Sequence, residues 1–375
     1  MAADGLRELP LELVVGFTTD FEASVLEDKI HGLGGLVSSR IPVRYGNTPE
    51  ETCHIIQDAA RNVLLSDEPH LSQFHLAGWG YTDLAAPVDS PNWSEKTGPA
   101  LLNLPSWVPD WYQKQFNKPC IPGAFYQAGT ADNTVTKDIR PVYRGDGISN
   151  LDLIEVSMSR IGVVSNILSS PFLMLDPQTT NLESPSFRGN LAVFVQQAKR
   201  LAHSSPQAIS LCGVDSIDEI MWRTLFGDRK AETFPPLAEE ELASLQRVVE
   251  MVTSTYTTDK NNPPKVQTKD TDDIHGTMFE IGRSWMGHRF CVLEGGHFGL
   301  VPMGTIPGDS VFIIWGVPTP FVVRSRTSHE LVTKRKIDQQ GDGGEHVPIG
   351  SCYLHSFMMG EATPARYKPE PIVLR

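Results

Sequence analysis

The sequence predicts an α+β protein, in which a mainly helical region precedes a small antiparallel β unit that resembles a barrel. Three observations carry this prediction. Apolar residues recur at helical spacing in several segments before residue 260. Prolines and tryptophans crowd together between residues 78 and 125, where the prolines exclude long helices. Short apolar stretches separated by Gly and Pro turns dominate from residue 284 onward.

The first helical element is predicted between residues 20 and 65. Its clearest start is at Thr48, which can act as the N-cap, with Pro49 in the first turn and Glu51 completing a capping box. Apolar residues then recur at helical spacing and form one face, namely Ile55, Ile56, Ala59, Ala60, Val63 and Leu64.

A Trp/Pro-rich segment follows, and it is predicted to be ordered but irregular. Large aromatic rings must supply its packing, because the prolines prevent regular helices. Its tryptophans are Trp79, Trp93, Trp107 and Trp111.

The rest of the first 260 residues combines undecided and helical stretches. Periodicity does not decide whether Leu151–Val156 and Ile161–Leu168 are strands or helix. Helices are predicted over Phe187–His203, from Asp215 onward with Asp215 or Ser216 as the cap, and over Leu237–Tyr256.

Three parts are therefore predicted: a mainly helical region at 1–260, a polar linker at 261–283, and an antiparallel β unit with a C-terminal tail at 284–375. Pro263-Pro264 marks the linker. The strands predicted in the β unit are His288–Glu294, Phe298–Val301, Val311–Trp315, Phe321–Ser325 and Ile349–Ser356.

Charge and cysteine usage exclude several classes of protein. The net charge of −13 disfavours nucleic acid, and acidic residues closely follow the one basic cluster, Lys334–Lys336. Apolar runs such as Val311–Trp315 are too short to span a bilayer, and Met1–Pro10 lacks the features of a signal peptide. The five cysteines are scattered, which indicates reduced thiols. We expect a cytoplasmic protein without nucleic-acid or membrane partners.

Nine segments resemble the region that follows the effector domain in fungal heterokaryon-incompatibility (HET) proteins. Each match alone is weak, but their order and spacing together are specific, and they cover roughly residues 20–115 and 215–362. The segments are 27–33 (EDKIHGL), 49–64, 104–111 (LPSWVPDW), 222–228 (WRTLFGD), 287–292 (GHRFCV), 295–302 (GGHFGLVP), 307–311 (PGDSV), 317–324 (VPTPFVVR) and 350–362 (GSCYLHSFMMGEA).

The resemblance implies a role in self/nonself recognition between fungi. In that family, cell death is attributed to the effector domain, and Met1–Glu22 is too short to hold it. We therefore expect this chain to lack the effector domain and its cell-killing activity.

The residues Trp107, Asp110 and Trp111 form the most interesting candidate site. Two rings and one carboxylate can line an apolar pocket, which His297, Trp315 and His355 would complete. The alternative is that both tryptophans anchor the core, while Asp110 caps a turn or meets an arginine such as Arg289.

Metal, nucleophile and phosphate sites are not predicted. His288–Cys291 and Cys352–His355 each show a three-residue step, but in strands such residues point to opposite faces. Gly341–Glu345 is Gly-rich but lacks the Lys and Ser/Thr of a phosphate loop. We therefore expect no metal and no cofactor.

Two functions remain open. The first is a HET-like accessory or regulatory module that binds a protein partner or a small apolar metabolite. The second is a cofactor-free cyclase or isomerase, or a metabolite-binding protein, from a fungal biosynthetic cluster, since such reactions need mainly shape and a few hydrogen bonds.

Overall fold

A computed structural model of the chain shows helices together with a nine-stranded sheet, so the α+β class is confirmed. The helices are α1 (Asp28–His31), α2 (Pro49–Leu64), α3 (Pro185–Ser204), α4 (Pro206–Cys212), α5 (Ile217–Phe226) and α6 (Glu239–Thr258). The strands are β1 (Ile139–Tyr143), β2 (Ser149–Ile167), β3 (His288–Leu293), β4 (Phe298–Pro302), β5 (Ser310–Ile314), β6 (Phe321–Ser325), β7 (His346–Ser351), β8 (Tyr353–Leu354) and β9 (Glu370–Leu374).

The structure describes 27–32, 43–46, 48–65, 74, 104–108, 125–130, 138–143, 149–169, 185–214, 216–230, 234–258, 276–277, 280–281, 284–285, 287–325 and 345–375.

Helix α2 begins as the sequence predicts. The Thr48 hydroxyl accepts a hydrogen bond from the backbone N–H of Glu51 at 3.2 Å, which satisfies one of the free donors of the first turn. The predicted apolar face is buried at Ile56, Ala59 and Ala60.

The prediction of a helix throughout 20–65 is wrong at residues 43–46, which are not helical. The Glu27 carboxylate holds the backbone of this segment in place. It accepts hydrogen bonds from the Gly46 N–H and from the Thr52 hydroxyl, each at 2.8 Å. These bonds hold the segment against the start of α2. The two backbones are so close that a Cβ on residue 46 would lie 2.6 Å from the Thr52 nitrogen.

Strand β2 is the centre of the sheet. It settles the stretch that periodicity left undecided, since one strand covers Ser149–Ile167. Strands β1, β3, β5 and β9 all pair with it in antiparallel fashion. The sheet therefore joins residues from before 260 to residues from after 284.

The β region differs from the predicted small antiparallel unit in two respects. Strands β7 and β9 are parallel, so the sheet is mixed. The predicted strand Ile349–Ser356 is divided into β7, which pairs with β6, and β8, which pairs with β4. The division falls at Cys352, whose N–H donates to the Pro320 carbonyl instead of continuing the ladder of β7.

Three groups of buried apolar residues hold the fold together. The helix-side core packs α3, α5 and α6 against one face of β3 and β4, as at Trp222, Phe290 and Leu300. The α2-side core joins α2 and Trp107 to β2, β5 and β6. The inner core contains Cys291, Trp315, Cys352 and Phe357, and lies on the opposite face of β3 from the helices.

The end of the predicted linker belongs to the helix-side core. Ile281, within 261–283, is buried together with Trp285, and the Trp285 ring lies 5.1 Å from that of Phe194 and 6.0 Å from that of Phe226.

Candidate functional site

The structure separates the predicted site residues. Trp107 is fully buried in the α2-side core, and its indole N–H donates to the Asp152 carbonyl at 3.1 Å. Trp107 is therefore a core anchor, which was one of the two interpretations of the sequence. Asp110 and Trp111 lie outside the described residues.

Arg289 is buried and binds backbone. Its guanidinium donates to the carbonyl of Leu168 at 2.6 Å, of Thr305 at 2.9 Å and of Met303 at 3.2 Å. These bonds tie the end of β2 to the turn after β4, so the contacts described for Arg289 are structural.

Trp315 also lies in the interior. It is 2% exposed, and its indole N–H donates to the Ser159 hydroxyl at 2.8 Å. Trp315 belongs to the inner core, whereas Trp107 belongs to the α2-side core. The two tryptophans therefore do not line one pocket.

His297 and His355 are the predicted residues that come together at the surface. Both residues are partly buried, and His355 lies close enough to His297 to lower its pKa. The His297 ring contacts Phe357 edge to face, with centroids 4.8 Å apart. His355 is held in place by its backbone N–H, which donates to the Phe298 carbonyl at 3.0 Å.

Tyr353 completes this group, and sequence reasoning missed it. Its phenolic oxygen lies 3.2 Å from the Nδ1 of His355. Its ring is 2% exposed and meets the Tyr126 ring at 6.0 Å between centroids. We call Tyr353, His355, His297 and Phe357 together the His355 surface; its partly exposed members are His297 and His355, while Tyr353 and Phe357 are buried beneath them.

The alternation of β8 puts the thiol and the imidazole on different sides. Cys352 and Leu354 belong to the inner core, whereas Tyr353 belongs to the helix-side core. His355 contacts Tyr353 and not Cys352. A thiol–imidazole pair is therefore not formed, as the three-residue spacing predicts.

The C-terminal end of α5 supplies the charges around His355. Gly227 ends the helix in the left-handed conformation, with φ +64°, and a Cβ there would lie 3.1 Å from the Tyr126 hydroxyl. The chain then turns so that the Asp228 carboxylate accepts a hydrogen bond from the Arg223 guanidinium at 2.7 Å. Arg223 also pairs with Glu219 at 2.8 Å.

Burial keeps both imidazoles neutral at pH 7. Burial lowers the pKa of His355. The positive charge of Arg223 lowers this pKa further, whereas the carboxylates of Asp228 and Glu361 raise it. Burial likewise lowers the pKa of His297, and the nearby Arg366 adds to this shift. Burial raises the pKa of Tyr353, so the phenol keeps its proton.

The buried thiols are poor candidates for chemistry. Cys291 and Cys352 are free and fully buried, and burial raises the pKa of Cys291 to about 12. Within the described ranges, no group of three His, Cys, Asp or Glu side chains is arranged to hold a metal ion.

The residues that sequence reasoning missed, namely Tyr353, Asp228, Arg223 and Tyr126, are brought together by the tertiary structure. Three of the four lie in segments that carry the HET resemblance, 222–228 and 350–362. That shared membership was one available signal, and for Tyr353 a second was the alternation of the predicted strand Ile349–Ser356, which places residues 353 and 355 on one face.

Comparison with known proteins adds no further assignment. No family model, no curated protein and no solved structure matches this chain. In the part of the chain that the structure describes, none of the helices has the length and apolar character needed to cross a membrane.

The chemistry available at the His355 surface is limited and specific. A neutral imidazole can exchange hydrogen bonds with a ligand, and aromatic rings can contact its apolar part.

Proposed function

We propose that this chain is a HET-like accessory binding module, and that it recognises a small apolar metabolite at the His355 surface. The observation that carries the proposal is the meeting of segments 222–228 and 350–362. Asp228 and Arg223 from the first segment influence the His355 imidazole from the second. Two segments that share the resemblance thus build one partly exposed site.

The composition of the surface supports a ligand that is mostly apolar. His297, Phe357 and Tyr367 form a row of rings, with centroid distances of 4.8 Å and 5.7 Å between neighbours. Phe357 is buried and supports the row from below, whereas the partly exposed rings of His297 and Tyr367 can provide contact area with little loss of conformational entropy. His355 adds a polar group that can fix the orientation of the ligand.

A thermal-shift screen of fungal polyketides and terpenoids tests this proposal. A ligand that binds only the folded state stabilises it by RT ln(1 + L/Kd), where L is the free ligand concentration, so the melting temperature rises as the ligand concentration exceeds Kd. We expect His355→Gln to abolish the shift. The matched control is His203→Gln, because His203 is an exposed histidine paired with Asp218 on the outer side of α5. A shift that survives His355→Gln would place the ligand elsewhere.

The regulatory role in fungal self/nonself recognition is also part of the proposal, and the HET resemblance supports it. Expression of the chain in a fungal host should not arrest growth, since the family's cell-killing activity is attributed to the effector domain. Growth arrest at modest expression would contradict the assignment to an accessory module. We place the protein in the cytoplasm, which the free buried thiols support.

A cofactor-free isomerase or cyclase is the second candidate, and the carboxylates whose charges act on His355 favour it. A neutral imidazole can polarise a carbonyl group while a carboxylate removes a proton from the adjacent carbon. Asp228, Glu361 and Glu219 are the carboxylates that influence His355. Incorporation of deuterium from D₂O into a bound ketone, lost in His355→Gln, would support this function. Binding of the ketone without deuterium exchange would support the binding module and not the enzyme.

The barrel-like arrangement expected from the sequence remains a proposal as well. Its support is the pairing of β5 with both β6 and β2.

A further inference from the structure

We infer that Tyr353 fixes the His355 imidazole in the tautomer that carries its proton on Nε2, so that the His355 surface selects a neutral ligand with a carbonyl oxygen. The inference rests on the proposed function, because it names the class of ligand for the same surface. It follows from the choice of hydrogen-bond acceptor for the Tyr353 hydroxyl.

The first step concerns the donor. A phenol is protonated at pH 7, and the Tyr353 side chain is buried, so water is not its acceptor. Among the residues that the structure describes, the acceptor within hydrogen-bond distance is Nδ1 of His355, at 3.2 Å. A buried hydroxyl without an acceptor would cost about 1 to 3 kcal/mol. The Tyr353 hydroxyl therefore donates to Nδ1.

The second step concerns the imidazole. A neutral imidazole carries one proton, so an Nδ1 that accepts leaves the proton on Nε2. His355 stays neutral at pH 7 because burial lowers its pKa. The described part of the chain offers no hydrogen-bond partner to Nε2, and the residue is partly exposed. The surface thus presents an N–H donor, which needs an acceptor atom on the ligand.

The third step concerns charge. The groups that influence His355 are the carboxylates of Asp228, Glu361 and Glu219 and the guanidinium of Arg223. Arg223 is already paired with Asp228 at 2.7 Å and with Glu219 at 2.8 Å. Arg366 also acts on His297, so three carboxylates stand against two guanidiniums, and the remaining excess of carboxylate repels an anionic ligand. A ketone or an aldehyde provides an acceptor oxygen without a negative charge.

A second tyrosine provides the control. The Tyr126 ring contacts Tyr353, but its hydroxyl donates to the Gly227 carbonyl at 2.6 Å and not to the histidine. Tyr126→Phe removes a buried hydroxyl from the same aromatic pair, as Tyr353→Phe does, and leaves the bond to His355 intact.

Long-range ¹H–¹⁵N NMR of protein labelled with ¹⁵N-histidine tests the tautomer, because Nε2–H and Nδ1–H imidazoles give distinct patterns. We expect the Nε2–H form of His355 in the wild type and in Tyr126→Phe, and a mixture of tautomers in Tyr353→Phe. An Nδ1–H tautomer in the wild type would overturn the inference. The wild-type spectrum is recorded without ligand, so an Nδ1–H tautomer would contradict the inference without contradicting the proposed binding function. It also decides the tautomer even if one of the variants fails to fold.

Two probes of similar shape test the ligand class. Acetophenone and ethylbenzene differ mainly in the carbonyl oxygen. We expect acetophenone to shift the Nε2 resonance of His355 in the wild type, and ethylbenzene to leave it unchanged at the same concentration. Equal effects of the two probes, or no shift with acetophenone up to its solubility limit, would overturn the carbonyl assignment. A metabolite without a carbonyl that binds in the thermal-shift screen would do so as well, while supporting the proposed function.

Discussion

The indole N–H of Trp107 donates a hydrogen bond to the backbone carbonyl of Asp152 at a distance of 3.1 Å. Asp152 lies in β2, so this bond joins the Trp/Pro-rich segment to the central strand of the sheet. Trp107 belongs to the same buried core as Ile56, Ala59 and Ala60 of α2. Trp107 thereby connects three parts of the chain that are distant in sequence.

We predict that Trp107→Ala lowers the free energy of unfolding by about 3 to 5 kcal/mol, because it leaves a large cavity in the α2-side core. Trp107→Phe should cost less, since it keeps most of the apolar volume and loses the bond to Asp152. Urea unfolding followed by circular dichroism measures both values. A Trp107→Ala variant as stable as the wild type would show that the ring is not in the core.

The second prediction concerns Arg289. Arg289→Met should destabilise the protein by at least about 3 kcal/mol, because the three backbone carbonyls that its guanidinium binds would lose their donor in a buried place. Arg160→Met is the control: Arg160 is exposed on β2, and its loss should change stability by less than about 0.5 kcal/mol. Equal unfolding midpoints for the two variants would contradict the structural role of Arg289.

The third prediction concerns the inner thiols. Burial raises the pKa of Cys291 to about 12 and also raises that of Cys352, and the thiolate is the reactive form. In a variant with Cys53, Cys120 and Cys212 replaced by Ser, Ellman's reagent should label neither remaining thiol until urea unfolds the chain. Labelling of two thiols per chain in the absence of urea, or one zinc ion per chain in the purified protein, would contradict this prediction.

The fourth prediction is a pH dependence of stability. His297 and His355 have pKa values below the ordinary 6.5 in the folded state, so in mildly acidic solution the unfolded chain binds more protons at these two positions. Their contribution to stability is complete above pH 6.5 and is lost as the pH falls through the lowered pKa values. Glu27 and Asp218 also have lowered pKa values, but they act in a more acidic range, below about pH 4.5.

Melting temperatures at about pH 7.5 and about pH 5.5 test this dependence, because the interval brackets an ordinary imidazole pKa. The wild type should lose more stability across the interval than the double variant His297→Gln, His355→Gln. The same loss in both proteins would assign the effect to other groups.

Much of the helical part of the fold was predictable, because each long helix buries one face. The predicted bounds Phe187–His203 and Leu237–Tyr256 lie within two residues of α3 and α6. Helix α4 was not predicted, since its seven residues are too few to show a period.

The sheet was harder to predict because its order depends on contacts far apart in sequence. Strand β2 has four partners along its length, so no single pattern of alternating exposure runs through it. Strand β9 contains Pro371 and is buried only at Leu374, and both features weaken a strand signal.

The candidate site was only partly predictable for the same reason. His297 and His355 were named from the sequence, and the structure brings them together. Trp107, Arg289 and Trp315 were named as well, but each is buried in contacts with backbone or neighbouring side chains. Asp228 was missed because its relation to His355 exists only after α5 packs against β4 and β8. Tyr353 was missed although it lies two residues from His355, where the alternation of a strand places both on one face.

The central claim is that one surface around His355 recognises a small molecule. The most direct measurement is an NMR titration of the ¹⁵N-histidine-labelled protein with the compound that most stabilises it in the thermal-shift screen. Among the 11 histidines, those at 297 and 355 should shift together and saturate at the same ligand concentration. Saturating shifts confined to other histidines, with His297 and His355 unchanged, would contradict the claim.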